Sequence, residues 1–322
     1  MSLLSGPHAP ILTVTLNPAL DFAGAVARVV PNRKLRMGAV LVDPGGGGIN
    51  MTRVIARLGG QATAAVSLGG VLGDEIARLM DAEGLARLPL PCPGSSRQSL
   101  SVTDKGDGGQ YRFVMPGPEW SEALAGQALD MLAAAVPAGG WVALSGSNPP
   151  GLADDFALHL ARRVEAAGGS LLVDTSGAAL KALAAARAGI AVLRIDGPEA
   201  EFLAGRPLPE RADTAAFARD LVARGVARVA VLARGSDGNI LATAGGAWHA
   251  RAVPVRVVSA VGAGDSFAAG LLLGRARGGD WPEALALAAA CATATCLMPA
   301  TRLGSAEDIA RILTEGAITR MP

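Results

Sequence analysis

The sequence predicts a three-layer α/β/α body around a central, mostly parallel sheet, with a small β-sheet lid inserted into it. Short apolar runs, apolar on both faces, recur with helical patterns between them, as the strands of a parallel sheet covered on both sides require. Two segments, about 21–42 and about 97–115, break that alternation with extended stretches and no helix. The chain has 322 residues, 50% hydrophobic and only 3% aromatic, so its core must be built mainly from Ala, Val and Leu. Each irregular segment is bounded by sheet-and-helix material. The expectation is therefore one domain over 1–322 carrying an inserted lid, not two sequential domains.

In order along the chain, "ILTVTL" from Ile11 reads as the first strand, and Asp21 to Val42 as the first lid excursion. "DPGGGGINMTRVIARLGG", Asp43 to Gly60, joins four glycines to a helical pattern. Glycines lose the most entropy in regular structure, so the run predicts close approach of something to the backbone. Asn50, at the start of that helix, suits either a cap or contact with a ligand hydroxyl. "AAVSL" from Ala64 is a strand, and "RQSLSVTDKGDGGQYRFVMPG" alternates around the Gly-rich turn Lys105 to Gly109 as a second antiparallel excursion. Strands follow at "WVALS" from Trp141, "SLLVD" from Ser170, "IAVLRI" from Ile190 and "RVAVLA" from Arg228, with helices over Asp154–Ala167 and Thr214–Arg224. The apolar segment Ala284 to Met298, about fifteen residues, is too short to span a bilayer and reads as a buried helix.

Composition excludes several classes. Lys plus Arg number 29 against 28 Asp plus Glu, so no global charge draws the chain to nucleic acid or an anionic membrane. The start "MSLLSGPHAP" does not resemble a secretory signal, and a cytoplasmic location is expected. Cys92, Cys291 and Cys296 lack metal-ligand spacing and read as packed thiols. Neither GxxxxGK[ST] nor a strand-to-helix GxGxxG occurs, which disfavours P-loop ATPases and dinucleotide oxidoreductases.

The segment "SAVGAGDSFAAGLLLG", Ser259 to Gly274, sets a lone aspartate, Asp265, between glycines and an apolar helix. Asp265 suits a helix cap, or a catalytic base beside an anion site made by backbone N–H groups around Gly262 and Gly264.

Together, "PGGGGIN" at Pro44, "GSNPPG" at Gly146 and "VGAGDSFAAG" at Val261 resemble the ribokinase-like PfkB family of carbohydrate kinases, from Thr13 to about Asp308. Within it, "KLR" at Lys34, "YRFVMPG" at Tyr111 and "TRL" at Thr301 look most like the 6-phosphofructokinase branch. The resemblance implies ATP- and Mg2+-dependent phosphorylation of fructose 6-phosphate at its 1-hydroxyl, with Asp265 as base and Gly262, Ala263 and Gly264 as the anion hole. Asp21, Gly46, Gly47 and Asn50 would hold the sugar, and Lys34, Arg97, Arg112 and Ser147 would surround the substrate and its phosphate. "ARGSDG", with Ala233, Gly235 and Gly238, would lie beneath the nucleotide, and the Ala284–Met298 helix would wall the adenine. The family's Lys-Pro-Asn-x-x-Glu is here "RIDGPE", so Arg194 and Asp196 stand near the donor phosphates and Glu199 keeps the magnesium-associated glutamate. Asp174 suits either that metal network or a turn. A monovalent cation such as K+ would use carbonyls near Ser259, Val261 and Ala300. A homodimer through the β lids is implied. Tagatose 6-phosphate or fructose 1-phosphate kinases are alternatives, as is a sugar-phosphate-binding regulator without transfer.

Overall fold

The structure, a computed structural model, describes residues 3–322. The first two residues of the stretch read above for a leader lie outside it. Among the described residues no helix is long and apolar enough to cross a membrane.

The first strand, β1 (Ile11–Thr15), sits inside a ten-stranded sheet. On one side lie β4 (Thr63–Ser67) and the edge strand β5 (Ala86–Leu90). On the other lie β8 (Trp141–Ser145), β9 (Ser170–Asp174), β10 (Ile190–Ile195) and β11 (Ala227–Ala233), all parallel. Then come β12 (Asn239–Thr243), β13 (Gly246–Arg251) and β14 (Ala317–Met321), joined antiparallel. Because β1 leads to β4 on one flank and β8 returns on the other, the strand order reverses between β1 and β8, and the crevice beyond their carboxyl ends is where ligands bind such sheets.

Both faces are covered, which explains the doubly apolar strands. Leu12, Val14, Leu144 and Val173 pack under α3 (Glu122–Ala135), α4 (Phe156–Ala166), α5 (Gly177–Ala186), α6 (Gly197–Ala204) and α7 (Arg211–Ala223). Ile11, Ala143, Leu172 and Val231 pack under α1 (Gly47–Arg57), α8 (Ala263–Ala276), α9 (Trp281–Cys296) and α10 (Ala306–Glu315). The Ala-rich α9 lies close against α8: a Cβ on Gly270 or Gly274 would stand 2.8 Å from the Cα of Ala288 or 2.9 Å from that of Ala284.

The second sheet is the lid. Its order is β3 (Leu41–Gly45), β2 (Ala19–Val26), β6 (Arg97–Asp104) and β7 (Gln110–Val114), with α2 (Gly70–Ala82) packed against β2 and β3. The expectation of antiparallel excursions holds within each pair, β2 with β3 and β6 with β7, but the two pairs are joined in parallel through β2 and β6. The lid strands also begin two residues earlier than Asp21 and run three beyond Val42, because the glycine run is not a loop. Gly45 ends β3, and Gly47 and Gly48 open α1.

Candidate active site

Three neighbouring strands set one row of polar side chains at the crevice floor. Ser145 at the end of β8 is in register with Asp174 on β9, and Asp174 with Arg194 on β10. Arg194 donates to Asp174 at 3.2 Å, and both are about 12–13% exposed. The Arg194 guanidinium lies against the start of α8, since a Cβ on Gly264 would fall 3.0 Å from its terminal nitrogens. Its Nε is buried without a hydrogen-bond partner.

Asp265 is the third residue of α8, whose N-cap is Gly262 at φ 76, and the helix start has no side-chain cap. The capping alternative is therefore not what the carboxylate does. Instead Oδ2 accepts from Asn50 Nδ2 at 2.8 Å, across from α1. Asn50 does not cap its own helix either; it is spent on this bond between two helix starts. Burial raises the Asp265 pKa from 3.8 to about 6, outweighing the bond from Asn50; the Asp174 charge raises it further, while Arg194 and a bond from Ser145 oppose. A carboxylate with that pKa is ionised at neutral pH yet basic enough to take a proton. Beside it lies the start of α8, around Gly262, Ala263 and Gly264, where the Ala263 N–H donates to the Ala260 carbonyl at 3.3 Å and the other first-turn N–H groups favour an anion.

The glycine run has a cause within the protein. A Cβ on Gly45 would lie 2.1 Å from Asp21 Oδ2, and one on Gly47 would lie 2.0 Å from Ser145 Oγ. The close approach expected from the four glycines is thus made by the chain's own side chains. Gly46, between them, is the N-cap of α1.

Asp21, Arg97 and Arg112 stand on one face of the lid sheet, since Asp21 is in register with Ser99 and Arg112 with Ser101. Burial lifts Asp21 to about 6 against the opposing pull of Arg97 and Arg112. Arg97 donates to the carbonyls of Asn17 and Met115. Ser147, on the loop after β8, accepts from Asn17 Nδ2 at 3.4 Å. Lys34 lies exposed in the β2–β3 connection, and no bond joins it to Arg97 or Arg112 among the described residues.

On the donor side, Asp196 caps α6. Its carboxylate accepts from the Glu199 N–H and Glu199 Oε2 accepts from the Asp196 N–H, both at 2.8 Å, a reciprocal capping box. Burial, with the charges of Asp196 and Asp174, raises the Glu199 pKa. Ala233 ends β11 and Gly235 and Gly238 follow it, where Arg234 is pinned to Asp237 and to the carbonyls of Leu208, Pro209 and Glu210. Ser259 Oγ donates to the Ala300 carbonyl at 2.9 Å, and Val261 N–H donates to Ser259 Oγ, so the three residues expected around a monovalent cation are neighbours. Among the described residues no three His, Cys, Asp or Glu converge as a metal-ligand set.

Sequence reasoning missed Ser145, Asn17 and Asp43. Ser145 ends an ordinary apolar strand, and its only signal was proximity to "GSNPPG". Asp43 precedes the glycines and joins Arg53 at 3.2 Å and Thr301 at 2.6 Å.

A crevice at a sheet's switch point, roofed by a β lid and floored by a buried base beside an open helix start, defines a carbohydrate kinase of the ribokinase-like class. Residues 16–308 match the pfkB family carbohydrate kinase model, and the chain belongs to that family. It is 36% identical to the ATP-dependent 6-phosphofructokinase isozyme 2 of Mycobacterium tuberculosis, over 94% of this chain and 88% of the relative. It is 34% identical to the 1-phosphofructokinase of Xanthomonas campestris, over 81% and 82% of the two chains. Among solved structures, phosphofructokinase-2 of Escherichia coli superposes with TM-score 0.90 in its potassium complex and 0.88 in its fructose-6-phosphate complex, each at 32% identity over 95% of this chain and 99% of the other.

Proposed function

We propose that this kinase transfers the γ-phosphoryl group of ATP to the 1-hydroxyl of fructose 6-phosphate, yielding fructose 1,6-bisphosphate and ADP. The observation that carries the reading is a base of pKa about 6 at the crevice floor, opposite a lid face that presents Arg97 and Arg112. The names of the Mycobacterium and Escherichia relatives support the substrate.

Asp265 accepts the proton of the sugar hydroxyl as its oxygen bonds to the γ-phosphorus and the bond to ADP breaks. The α8 N–H groups hold the phosphoryl oxygens, and Arg194, whose Nε has no partner in the protein, supplies charge to them. Asp21, Asn50 and the main chain at Gly46 and Gly47 hold sugar hydroxyls, while Arg97, Arg112, Lys34 and Ser147 surround the 6-phosphate. ATP lies over Ala233, Gly235 and Gly238, beside Arg194 and Asp196. Magnesium neutralises the phosphates when bound. Glu199 would hold it together with phosphate and water oxygens, which suits an ion that keeps its waters and a site without a converged carboxylate set. K+ would use carbonyls near Ser259, Val261 and Ala300. The protein acts as a homodimer through its lids: on the lid face opposite Asp21, Phe22 packs toward α2, while Val42 and Phe113, at the two ends of the registered row Val42, Phe22, Leu100 and Phe113, stay 37% and 52% exposed.

The 1-phosphofructokinase relative makes fructose 1-phosphate the second reading. ADP release measured over fructose, fructose 6-phosphate, tagatose 6-phosphate and fructose 1-phosphate decides the matter. At about 1.5–3 kcal/mol for each hydrogen bond to a charged group, two lost contacts make fructose at least about a hundredfold poorer than fructose 6-phosphate. Arg97→Ala and Arg112→Ala narrow that gap. Equal use of fructose and fructose 6-phosphate overturns the phosphate clamp, and a preference for fructose 1-phosphate installs the second reading.

A further inference from the structure

Outside the crevice, a pocket of about 530 Å³ opens between the end of α1, the lid strand β3 and the segment after α9. Arg53, Arg57 and Arg302 line it together with Asp43 and Glu83. Arg53 is 3% exposed and is satisfied by both carboxylates, at 3.2 Å to Asp43 and 2.7 Å to Glu83. The two remaining guanidiniums therefore face the pocket without a carboxylate partner. Arg57 donates through one nitrogen to the carbonyls of Leu303 and Gly304, and Arg302 is exposed with no side-chain bond among the described residues. Partial burial, and then the positive charge of Arg53, lower the Arg57 pKa; the carboxylates of Glu83 and Asp43 oppose this from a distance without forming an ion pair, and Arg302 adds a smaller lowering.

We propose that this pocket is a second anion site, which binds a phosphate monoester dianion and through it regulates the catalytic base. Two unpaired guanidiniums match a doubly charged phosphate, and their planar forks suit its oxygens. A single carboxylate would leave one guanidinium unpaired while meeting repulsion from Asp43 and Glu83. The volume suits a ligand of sugar-phosphate or nucleoside-monophosphate size.

A continuous set of bonds leads from the pocket to the reaction centre. Arg302 follows Thr301, whose hydroxyl donates to Asp43 Oδ2 at 2.6 Å. Asp43 Oδ1 holds Arg53 at 3.2 Å, Arg53 donates to Asn50 Oδ1 at 3.5 Å, and Asn50 donates to Asp265 at 2.8 Å. An anion that draws Arg53 toward the pocket loosens its hold on Asn50 and thereby the bond that favours ionised Asp265. The base then titrates higher, so occupancy inhibits most on the acid side of neutrality.

Inorganic phosphate, ribose 5-phosphate and adenosine monophosphate, titrated calorimetrically into the intact protein in magnesium-free buffer, test the site and tell its ligand sources apart. Crevice binding is separated by the variants Arg97→Ala and Arg194→Ala. The expected result is an event that survives both crevice variants and weakens tenfold or more in Arg302→Ala and in Arg57→Ala. Arg302 is exposed, so its variant keeps the fold, which the melting temperature checks. The same anion should lower turnover at pH 6.5 severalfold more than at pH 8, and Arg302→Ala should remove that effect without changing basal turnover. The binding arm does not depend on which sugar the kinase takes. Loss of all binding in the crevice variants, binding unchanged in Arg302→Ala and Arg57→Ala, or no binding at millimolar anion overturns the proposal.

Discussion

Burial of Asp265 has two consequences of opposite sign. Only the ionised carboxylate takes a proton, so with a pKa of about 6 turnover should fall about tenfold per pH unit below that value and level off above it. Ser145→Ala removes a bond to the charged form, and the acid limb should move to higher pH. For stability, Asp265 and Asp21 both titrate near 6 when folded against 3.8 as ordinary carboxylates. Between those values the folded chain binds more protons than the unfolded one, so stability declines as pH rises from about 4 through 6, and the penalty is complete above it. Asp265→Asn should therefore cut turnover a hundredfold or more while stabilising the fold at pH 7.5 by about 1–3 kcal/mol. Single-turnover kinetics and denaturant melts check both halves. A folded variant with normal turnover would remove Asp265 from the chemistry. The base was legible because glycines flanked it in a recognisable pattern. Ser145 was not, since a serine at a strand end has no neighbours in sequence that betray what it touches across the sheet.

At the scale of elements, the segment "RIDGPE" is informative because the residue that departs from the family, Asp196, also caps a helix. Asp196 is a stronger N-cap than most residues, and Glu199 three positions later completes the box. Asp196→Ala should cost about 1 kcal/mol in a denaturant melt, whereas Asp196→Asn should retain most of the cap. If the magnesium dependence of the ATP Michaelis constant also shifts in Asp196→Asn, the same carboxylate acts on the donor side; an unchanged magnesium titration confines it to the helix. The capping pattern is present in the sequence, in Asp-x-x-Glu with proline in the first turn. The glycine run shows the reverse. Its need for bare backbone was legible, but the partners Asp21 and Ser145 come from β2 and β8 and are adjacent only after the sheets have formed. The body strands were read to within a residue or two because parallel strands buried on both faces are continuously apolar. The strands β5, β12, β13 and β14 were not, being edge or antiparallel segments of mixed polarity.

For the whole molecule, the apolar row on the lid makes assembly testable without reference to catalysis. Phe113→Asp puts a charge at the exposed β7 end of the proposed contact and should yield monomers in sedimentation velocity with the melting profile of the body retained; an unchanged sedimentation coefficient would place the contact elsewhere. The parallel pairing of β2 with β6 was beyond reach of sequence, since each lid segment taken alone reads as a hairpin. That pairing also constrains the order in which the protein comes into being. Residues 19–26 and 97–104 lie some eighty positions apart, and β4, α2 and β5 fold between them. Closing so long a loop is entropically slow unless intervening structure has already brought its ends together. The β2–β6 pairing is accordingly expected to follow the pairing of β1 with β4 and β4 with β5, which brings its ends together, so during refolding that flank of the large sheet forms before the substrate face, and with it activity, is assembled.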